Sequence, residues 1–184
     1  FDYIRFAADG DLKDMKFPFY NATGTYKQAV IKDFLRHLRS ELIGIVISAD
    51  VFGYTTVLYD DLGIGQIIED AYENFDYVSP MIYPSHYNRN FLNYKNPAAF
   101  PYEVVKYSVE SALLRLAAVS STSSVSKLRP WLQDFDLGAD YDAVKVRQEI
   151  QAVYDAASST PELINGWMLW NPGNIYTREA LMTQ

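Results

Sequence analysis

Segments with the pattern of β-strands alternate with segments of helical pattern along the whole chain, and this alternation restricts the fold more than any other feature. Alternation at this spacing is typical of right-handed crossover units, which build a parallel sheet. The predicted strands are residues 1–6, 43–50, 76–83, 127–135 and 165–172. The predicted helices are residues 26–42, capped by Thr25, then 62–75, 102–119, 142–157 and a last helix that begins at Thr177.

The first two helices and the strand between them also have predicted buried faces. The first helix is expected to bury the apolar residues that recur at every fourth position, which are Tyr26, Val30, Phe34, Leu38 and Leu42. Residues 43–50 are almost continuously apolar, as expected of a strand that is covered on both faces. The second helix, with Asp61 as its cap, is expected to point Ile64, Ile68 and Phe75 inward.

Length and composition predict one globular domain over residues 1–184 and exclude several kinds of site. Apolar residues make up 49% of the 184 residues. A net charge of −7 without a run of basic residues argues against nucleic acid as a partner. The absence of cysteine excludes disulfides and thiolate sites, and no apolar run approaches the roughly 20 residues of a membrane span. We predict no metal and no cofactor, because the two histidines lack the spacing of a zinc site.

Two short polar stretches near the start of the chain have alternative interpretations. Asp9, Asp11 and Asp14 are spaced like the first ligands of a calcium loop, but the later ligands are missing, so a solvated turn is predicted. Asn21 begins a glycosylation sequon, which has meaning only in a eukaryotic secretory pathway.

Two parallel architectures are compatible with the alternation, namely an open doubly wound sheet and a closed eight-stranded barrel. The sequence contains no dinucleotide fingerprint, and the Gly63-Ile-Gly65 stretch is too sparse for a phosphate loop. Polar residues instead follow the predicted strands, and strand ends meet at one mouth in a barrel. We therefore predict part of a (β/α)8 barrel.

The polar and aromatic residues at the predicted strand ends form the candidate site. Carboxylates hold and activate hydroxyl groups, aromatic faces stack on sugar rings, and glycoside cleavage requires two carboxyl groups across one bond. The candidates are Asp2, Arg5, Asp50, Tyr83, His86, Gln133, Asp134, Trp170 and Asn171. Each also has a structural interpretation, such as a loop cap for Asp50 or core packing for Tyr83 and Trp170.

Five motifs of the chain resemble one bacterial family, a "putative glycoside hydrolase domain" formerly catalogued as a domain of unknown function. The motifs are FDYIRF at 1–6, SADVFG at 48–53, DYVSPMIYPSHY at 76–87, LRPWLQDF at 128–135 and GWMLWNP at 166–172. The resemblance implies an alpha-amylase-like (β/α)8 barrel in exported or surface-attached proteins. It also implies that the chain is the C-terminal portion of such a barrel, about strands four to eight, with the N-terminal strands missing.

The resemblance further implies roles for individual residues. Asp2 occupies the position of a nucleophilic carboxylate, with Arg5 close to it, and Asp50 occupies the position of the general acid. Such barrels more often carry Glu at the position of Asp50. We expect Arg5 to tune a neighbouring carboxyl group, and Tyr83, His86, Gln133, Asp134, Trp170 and Asn171 to contact substrate.

Taken together, these observations predict a hydrolase of a polysaccharide or cell-wall glycan that acts outside the cell or at its surface. The alternative is a non-catalytic glycan-binding or surface interaction module on a degenerate barrel. An aldolase or lyase would need a strand-end lysine and a phosphate loop, which the sequence lacks. Because part of a barrel exposes unpaired strand edges, we also expect self-association or pairing with the missing N-terminal part.

Overall fold

The computed structural model describes residues 1–17, 26–120 and 126–181 as an α/β fold with a parallel sheet. The strands are β1 (Ser48–Phe52), β2 (Tyr77–Ile82), β3 (Lys127–Leu128), β4 (Trp131–Gln133) and β5 (Met168–Trp170). The helices are α1 (Lys27–Glu41), α2 (Ile68–Tyr72), α3 (Pro101–Ser120), α4 (Ala143–Ala156) and α5 (Arg178–Leu181). The Asn21 sequon and the Thr25 cap lie outside the described residues.

The strands lie side by side in the order in which they occur along the chain. β1 pairs with β2, β2 pairs with both β3 and β4, and β4 pairs with β5, all in parallel. A doubly wound sheet reverses its strand order at a switch point, whereas a barrel keeps sequential neighbours together. The described sheet therefore fits part of a (β/α)8-like barrel, and the correspondence to strands four to eight stays a prediction.

The two faces of the sheet differ in chemistry because successive side chains of a strand point to opposite faces. Ala49 and Val51 of β1 belong to the main hydrophobic core, together with Leu132 of β4 and buried residues of α3 and α4. Ser48, Asp50 and Phe52 alternate with them and lie on the other face, where the Ser48 and Ser79 hydroxyl groups are 3.2 Å apart. We call this second face the open face.

The buried face of helix α1 agrees only in part with the predicted one, since Leu38 and Leu42 pack inward and Tyr26 and Phe34 are exposed. Leu35 is its buried residue, and Ile31, Leu38 and Leu42 pack against the core, whereas 45% of Phe34 is exposed. A four-residue step turns 400° on a helix of 3.6 residues per turn, so a strict every-fourth pattern drifts by about 40° per step. The residues that pack inward follow the mixed three- and four-residue spacing of a helical face instead.

The predicted strand at residues 1–6 is wrong, because the backbone turns at Tyr3, which has a φ of 64°. Only Phe1 pairs with the sheet: its amino group donates to the Ser48 carbonyl at 2.6 Å, and its carbonyl accepts from the Asp50 N–H at 2.8 Å. Residues 43–47 precede β1 without strand structure, and Ile43 and Val46 are 83% and 70% exposed. The predicted burial on both faces is therefore wrong for residues 43–46, whereas Ile47 is buried in the core.

Three other elements are shorter than predicted, and one of them is β5, which spans only Met168–Trp170 of the predicted 165–172. Helix α2 begins only at Ile68, because Gly63 and Gly65 adopt φ values of 66° and 86° and the Asp61 side chain accepts from the Gly63 N–H. The predicted strand at 127–135 is divided into β3 and β4 at Pro130, which lacks the N–H that a continuous ladder needs. The carbonyl of Pro130 still accepts from Met168 at 2.9 Å.

The remaining sequence features of the described residues are local. Asp9, Asp11 and Asp14 are exposed, and the Asp11 carboxylate accepts from the Lys13 N–H at the start of a short 3-10 turn. Among the described residues, no helix has the length and apolar character needed to cross a membrane.

Candidate active site

The two predicted carboxylates are neighbours at the edge of the sheet. Phe1 hydrogen-bonds to both Ser48 and Asp50, which is the pattern of a parallel strand partner opposite Ala49. Asp2 is the next residue and therefore lies beside Asp50, close enough for its charge to act on the Asp50 carboxyl group. Asp2 is exposed, and its carboxylate accepts from the Tyr3 N–H at 2.6 Å.

Asp50 lies on the open face, and the pKa of its carboxyl group is raised above the ordinary value. Burial raises its pKa, and the negative charge of Asp2 raises the pKa further. The indole N–H of Trp131 donates to the Asp50 carboxylate at 2.9 Å and acts in the opposite direction, because this bond favours the charged form. A half-buried carboxyl group with a raised pKa keeps its proton to a higher pH than an ordinary aspartate does.

Replacing Trp131 with phenylalanine should raise the pKa of Asp50 further. Trp131→Phe keeps an aromatic ring but removes the N–H that stabilises the ionised carboxylate. The measurement is an NMR titration of the Asp50 carboxyl carbon. The matched control is Trp167→Phe, since the Trp167 indole donates to Tyr154 instead. An unchanged or lowered Asp50 pKa in Trp131→Phe would contradict this explanation.

Arg5 forms no salt bridge with Asp2 or Asp50 within 4.0 Å. Its guanidinium donates to the Tyr3 hydroxyl at 2.7 Å and to the Phe6 carbonyl at 3.0 Å. The same group lies 5.1 Å from the ring centre of Phe52, which follows Asp50 on the open face. Its Nε atom is buried without a hydrogen-bond partner. The predicted tuning role of Arg5 stays a prediction.

Tyr83 and His86 occupy the loop after β2, on the same side as Asp50. Tyr83 is buried, and its pKa is raised by burial and then by the charges of Asp50 and Asp2. The His86 ring packs edge-on against Tyr83 at a centroid distance of 5.2 Å. Burial lowers the pKa of His86 below its usual 6.5, so its ring is neutral at pH 7. The structure thus brings Tyr83 and His86 together near the carboxylates.

Gln133, Asp134 and Asn171 have internal partners. The buried Gln133 amide oxygen accepts from the Ser85 N–H and hydroxyl at 3.1 and 2.8 Å. The buried Asp134 carboxylate accepts from the Thr177 N–H and hydroxyl, and the Asn171 amide donates to the Asp134 carbonyl. These bonds fix the loops after β2, β4 and β5. The predicted contact of these three residues with substrate is not tested by this arrangement.

Two tryptophans form the aromatic part of the open face. The rings of Trp131 and Trp170 pack edge to face with centroids 6.0 Å apart, and 42% of Trp170 is exposed. Trp170 was a predicted site residue and Trp131 was not, although Trp131 is the hydrogen-bond partner of Asp50. The alternation of Trp131, buried Leu132 and Gln133 along β4 was the signal that places Trp131 opposite the helices.

Glu149 was also missed by the sequence analysis. It is fully buried on α4, where its carboxyl oxygens accept from the Gln133 N–H at 2.8 Å and from the Tyr141 hydroxyl at 2.9 Å. Burial raises its pKa well above the usual value, and the charge of Asp134 adds to this. Glu149 ties the end of β4 to α4 and so positions Gln133 from behind the sheet. Its helical phase with buried Val146 and Val153 was the signal in the sequence.

A cavity of about 440 Å³ opens beyond the ends of β1 and β2. Its walls consist largely of aromatic and aliphatic side chains. They include Phe52, Tyr54, Leu58, Met81, Tyr83 and His86. We call this cavity the apolar pocket.

Buried polar residues and a glycine hold the walls of the apolar pocket in place. The Arg115 guanidinium, which is 5% exposed, donates to the carbonyls of Thr55 and Leu58 at 2.6 and 2.8 Å. The Gln66 amide bridges the Phe52 N–H and the Ile4 carbonyl. At Gly53, a Cβ atom would lie 2.5 Å from the Met81 carbonyl oxygen, so only glycine fits between the strand ends.

Among the described residues, no group of three or more acidic or histidine side chains is arranged to hold a metal ion. The arrangement offers acid–base chemistry at two neighbouring carboxyl groups and apolar surfaces for a ligand on either side of them.

Comparison with models of known protein families gives a match. The model of a family described as "Putative glycosyl hydrolase domain" matches residues 1–176. No curated protein and no solved structure was found to be similar to the chain. The matched range includes both carboxylates and all five strands.

Proposed function

Since the chain belongs to the Putative glycosyl hydrolase domain family, as its motifs predicted, we propose that it hydrolyses glycosidic bonds of a polysaccharide or cell-wall glycan. In this proposal Asp50 is the general acid and Asp2 is the nucleophile or general base. Both retaining and inverting enzymes use such a pair of carboxyl groups on either side of the scissile bond. Because such substrates lie outside the cell, we also propose that the protein acts outside the cell or at its surface.

The observation that carries the proposal is the raised pKa of Asp50 beside an exposed Asp2. A general acid must keep its proton near the working pH, and burial together with a neighbouring negative charge acts in that direction. Asp is one methylene shorter than the Glu that is more common at this position. The Trp131 hydrogen bond to Asp50 supports a fixed position for this shorter side chain.

Aromatic groups near the carboxylates are the proposed substrate contacts. Trp170 presents a partly exposed ring on the open face, while Tyr83 and His86 border the apolar pocket. The loops that carry these contacts are held in place by hydrogen bonds of Gln133, Asp134 and Asn171.

The test is a hydrolysis screen of the protein in its full-length form on a panel of polysaccharides and cell-wall glycans, with release of reducing ends as the readout. We expect release from at least one glycan. A protein that binds a glycan without releasing reducing ends would favour the rival proposal of a glycan-binding module. In that case the affinity for the glycan should not change when both Asp2 and Asp50 are replaced by Asn. That rival is supported by the aromatic surface, which needs no carboxylate to bind a sugar.

Replacing the exposed tryptophan should weaken substrate binding more than it slows the reaction. Trp170→Ala removes a stacking surface, and we expect KM to rise about tenfold, as the loss of a buried aromatic contact of roughly 1–2 kcal/mol implies. We expect kcat to change by less than about threefold, because the ring takes no part in proton transfer. The measurement is steady-state kinetics on the glycan found in the screen.

The matched control is Tyr154→Ala, because Tyr154 is an exposed aromatic residue of α4. Equal effects of the two substitutions on KM would remove Trp170 from the substrate contacts.

A further inference from the structure

The apolar pocket has a composition that differs from that of a site for a fully hydroxylated sugar. None of its lining residues carries a charged side chain at pH 7, since His86 is neutral there. Sugar hydroxyl groups need hydrogen-bond partners, and a wall of aliphatic and aromatic side chains supplies few. The volume falls within the range of about 300–1,000 Å³ of small-molecule sites. The lining therefore favours a ligand with a large apolar surface and no charge.

The position of the apolar pocket connects it to the carboxylates. Phe52 lines the pocket and follows Asp50 by two residues on the same face of β1. Tyr83 lines the pocket as well, and it is close enough to Asp50 and Asp2 for both charges to act on its hydroxyl group. A ligand in the pocket would thus lie next to the pair of carboxyl groups.

We propose that the apolar pocket binds an uncharged aromatic group that is joined to the sugar part of the substrate. The identification of this group as part of the substrate rests on the proposed function, whereas the selectivity of the pocket does not. The aromatic walls provide edge and face contacts for such a ring. A carboxylate on the ligand would lose its hydration without a cation to pair with among the lining residues.

The polar groups of the pocket are few and can orient such a ligand. The Asn88 backbone N–H donates to the Tyr54 hydroxyl at 2.6 Å, which leaves the hydroxyl hydrogen of Tyr54 available to a ligand. The neutral ring of His86 lies at the same wall. One or two hydrogen bonds to the linking oxygen would be enough to set the direction of an aryl group.

The test is direct binding of 2-naphthol, which is uncharged at pH 7, compared with 2-naphthoate and with methyl glucoside. The readout is the NMR signal of the Met81 methyl group, with the Met15 methyl group, outside the pocket lining, as an internal control. We expect 2-naphthol to shift the Met81 signal and to bind at least about tenfold more tightly than 2-naphthoate, because an unpaired buried charge is costly. We expect methyl glucoside to bind more weakly than 2-naphthol.

A substitution in the pocket wall links the binding to this site. Leu58→Asn makes the wall polar and should weaken 2-naphthol binding about three- to tenfold through lost apolar contact. The control is Leu181→Asn, because Leu181 has similar exposure on α5 and does not line the pocket. Equal binding of 2-naphthol and 2-naphthoate, tighter binding of methyl glucoside, or no difference between the two variants would overturn the proposal.

Hydrolysis separates this inference from the proposed function. If both are right, aryl glycosides are cleaved with a lower KM than methyl glycosides of the same sugar, and Leu58→Asn reduces that difference. Selective binding of 2-naphthol without any hydrolysis would support the proposed selectivity of the apolar pocket and contradict the proposed reaction. Hydrolysis without selective binding would retain the reaction and reject the pocket assignment.

Discussion

Asp50→Asn should lower kcat/KM by about 10²- to 10⁴-fold on substrates with poor leaving groups, the usual contribution of general acid catalysis. Asparagine keeps the shape of the side chain and can still accept the Trp131 hydrogen bond, but it cannot donate a proton to the leaving oxygen. The loss should be much smaller on glycosides with activated aryl leaving groups, which depart without protonation. Asp2→Asn should reduce the rate on both kinds of substrate by at least as much, because a nucleophile or base is needed whatever the leaving group.

The pH dependence gives a second readout for the same pair. Because the pKa of Asp50 is raised, its acid form persists to higher pH than that of an ordinary aspartate, and activity should fall as pH rises through the raised pKa. This alkaline limb should be absent in Asp50→Asn. In Asp2→Asn the alkaline limb of any residual activity should shift to lower pH than in the unmodified protein. The reason is that one cause of the raised Asp50 pKa has been removed.

Asp9→Asn is the matched control for both substitutions, since Asp9 lies in an exposed turn. We expect it to leave kcat/KM unchanged within about twofold, as is usual for exposed sites without a partner. Full activity of Asp2→Asn or of Asp50→Asn on poor leaving groups would remove that residue from the mechanism.

Glu149→Ala should lower the free energy of unfolding by about 2–4 kcal/mol, although the residue lies behind the sheet. The substitution leaves the Gln133 N–H and the Tyr141 hydroxyl without their acceptor in a buried site, and it also creates a cavity. Glu149→Gln is the matched control, because its amide can bond to both groups and should cost less than about 1 kcal/mol. Urea denaturation at pH 5 measures both effects.

The stability of the protein should also depend on the ionisation of Glu149. The pKa is raised in the folded state, so the carboxyl group stabilises fully below the unfolded-state value near 4.5, and this contribution is lost as pH rises through the raised value. The unmodified protein should therefore lose part of its stability over that interval, and Glu149→Gln should not. Equal pH dependence in the two proteins, or an Ala variant as stable as the unmodified protein, would show that the buried carboxyl group carries neither effect.

The sequence predicted the parallel α/β organisation because the alternation of helical and strand patterns is a local property. Helices α1, α3 and α4 lie close to their predicted bounds, and Asp142 caps α4 by accepting from the Lys145 N–H. Residues 1–6 and 43–46 failed the prediction for a common reason. Apolar composition indicates a preference for burial, but the partner that provides the burial is a tertiary contact that the local pattern does not contain.

The candidate site was predictable to the extent that its residues follow strands directly. Tyr83 is of this kind because it follows β2, whereas Asp50 was predicted at the end of a strand and lies within β1. The register that brings Asp2 beside Asp50 is visible only in the hydrogen bonds of Phe1. Trp131 and Glu149 were missed because their importance depends on contacts across the sheet, 81 and 16 residues apart in sequence. The periodic pattern of a single sequence places each of these residues on a face, but it does not show which distant residue lies opposite.

The close approach at Gly53 restricts how the apolar pocket could be redesigned. Any side chain at this position would collide with the Met81 backbone and, at 3.0 Å, with the Tyr87 hydroxyl, so a randomised library should return glycine alone among folded clones. Leu58, which is 40% exposed, has free space around its side chain. Ligand preference would therefore be changed by substitution at Leu58, whereas Gly53 has to be kept.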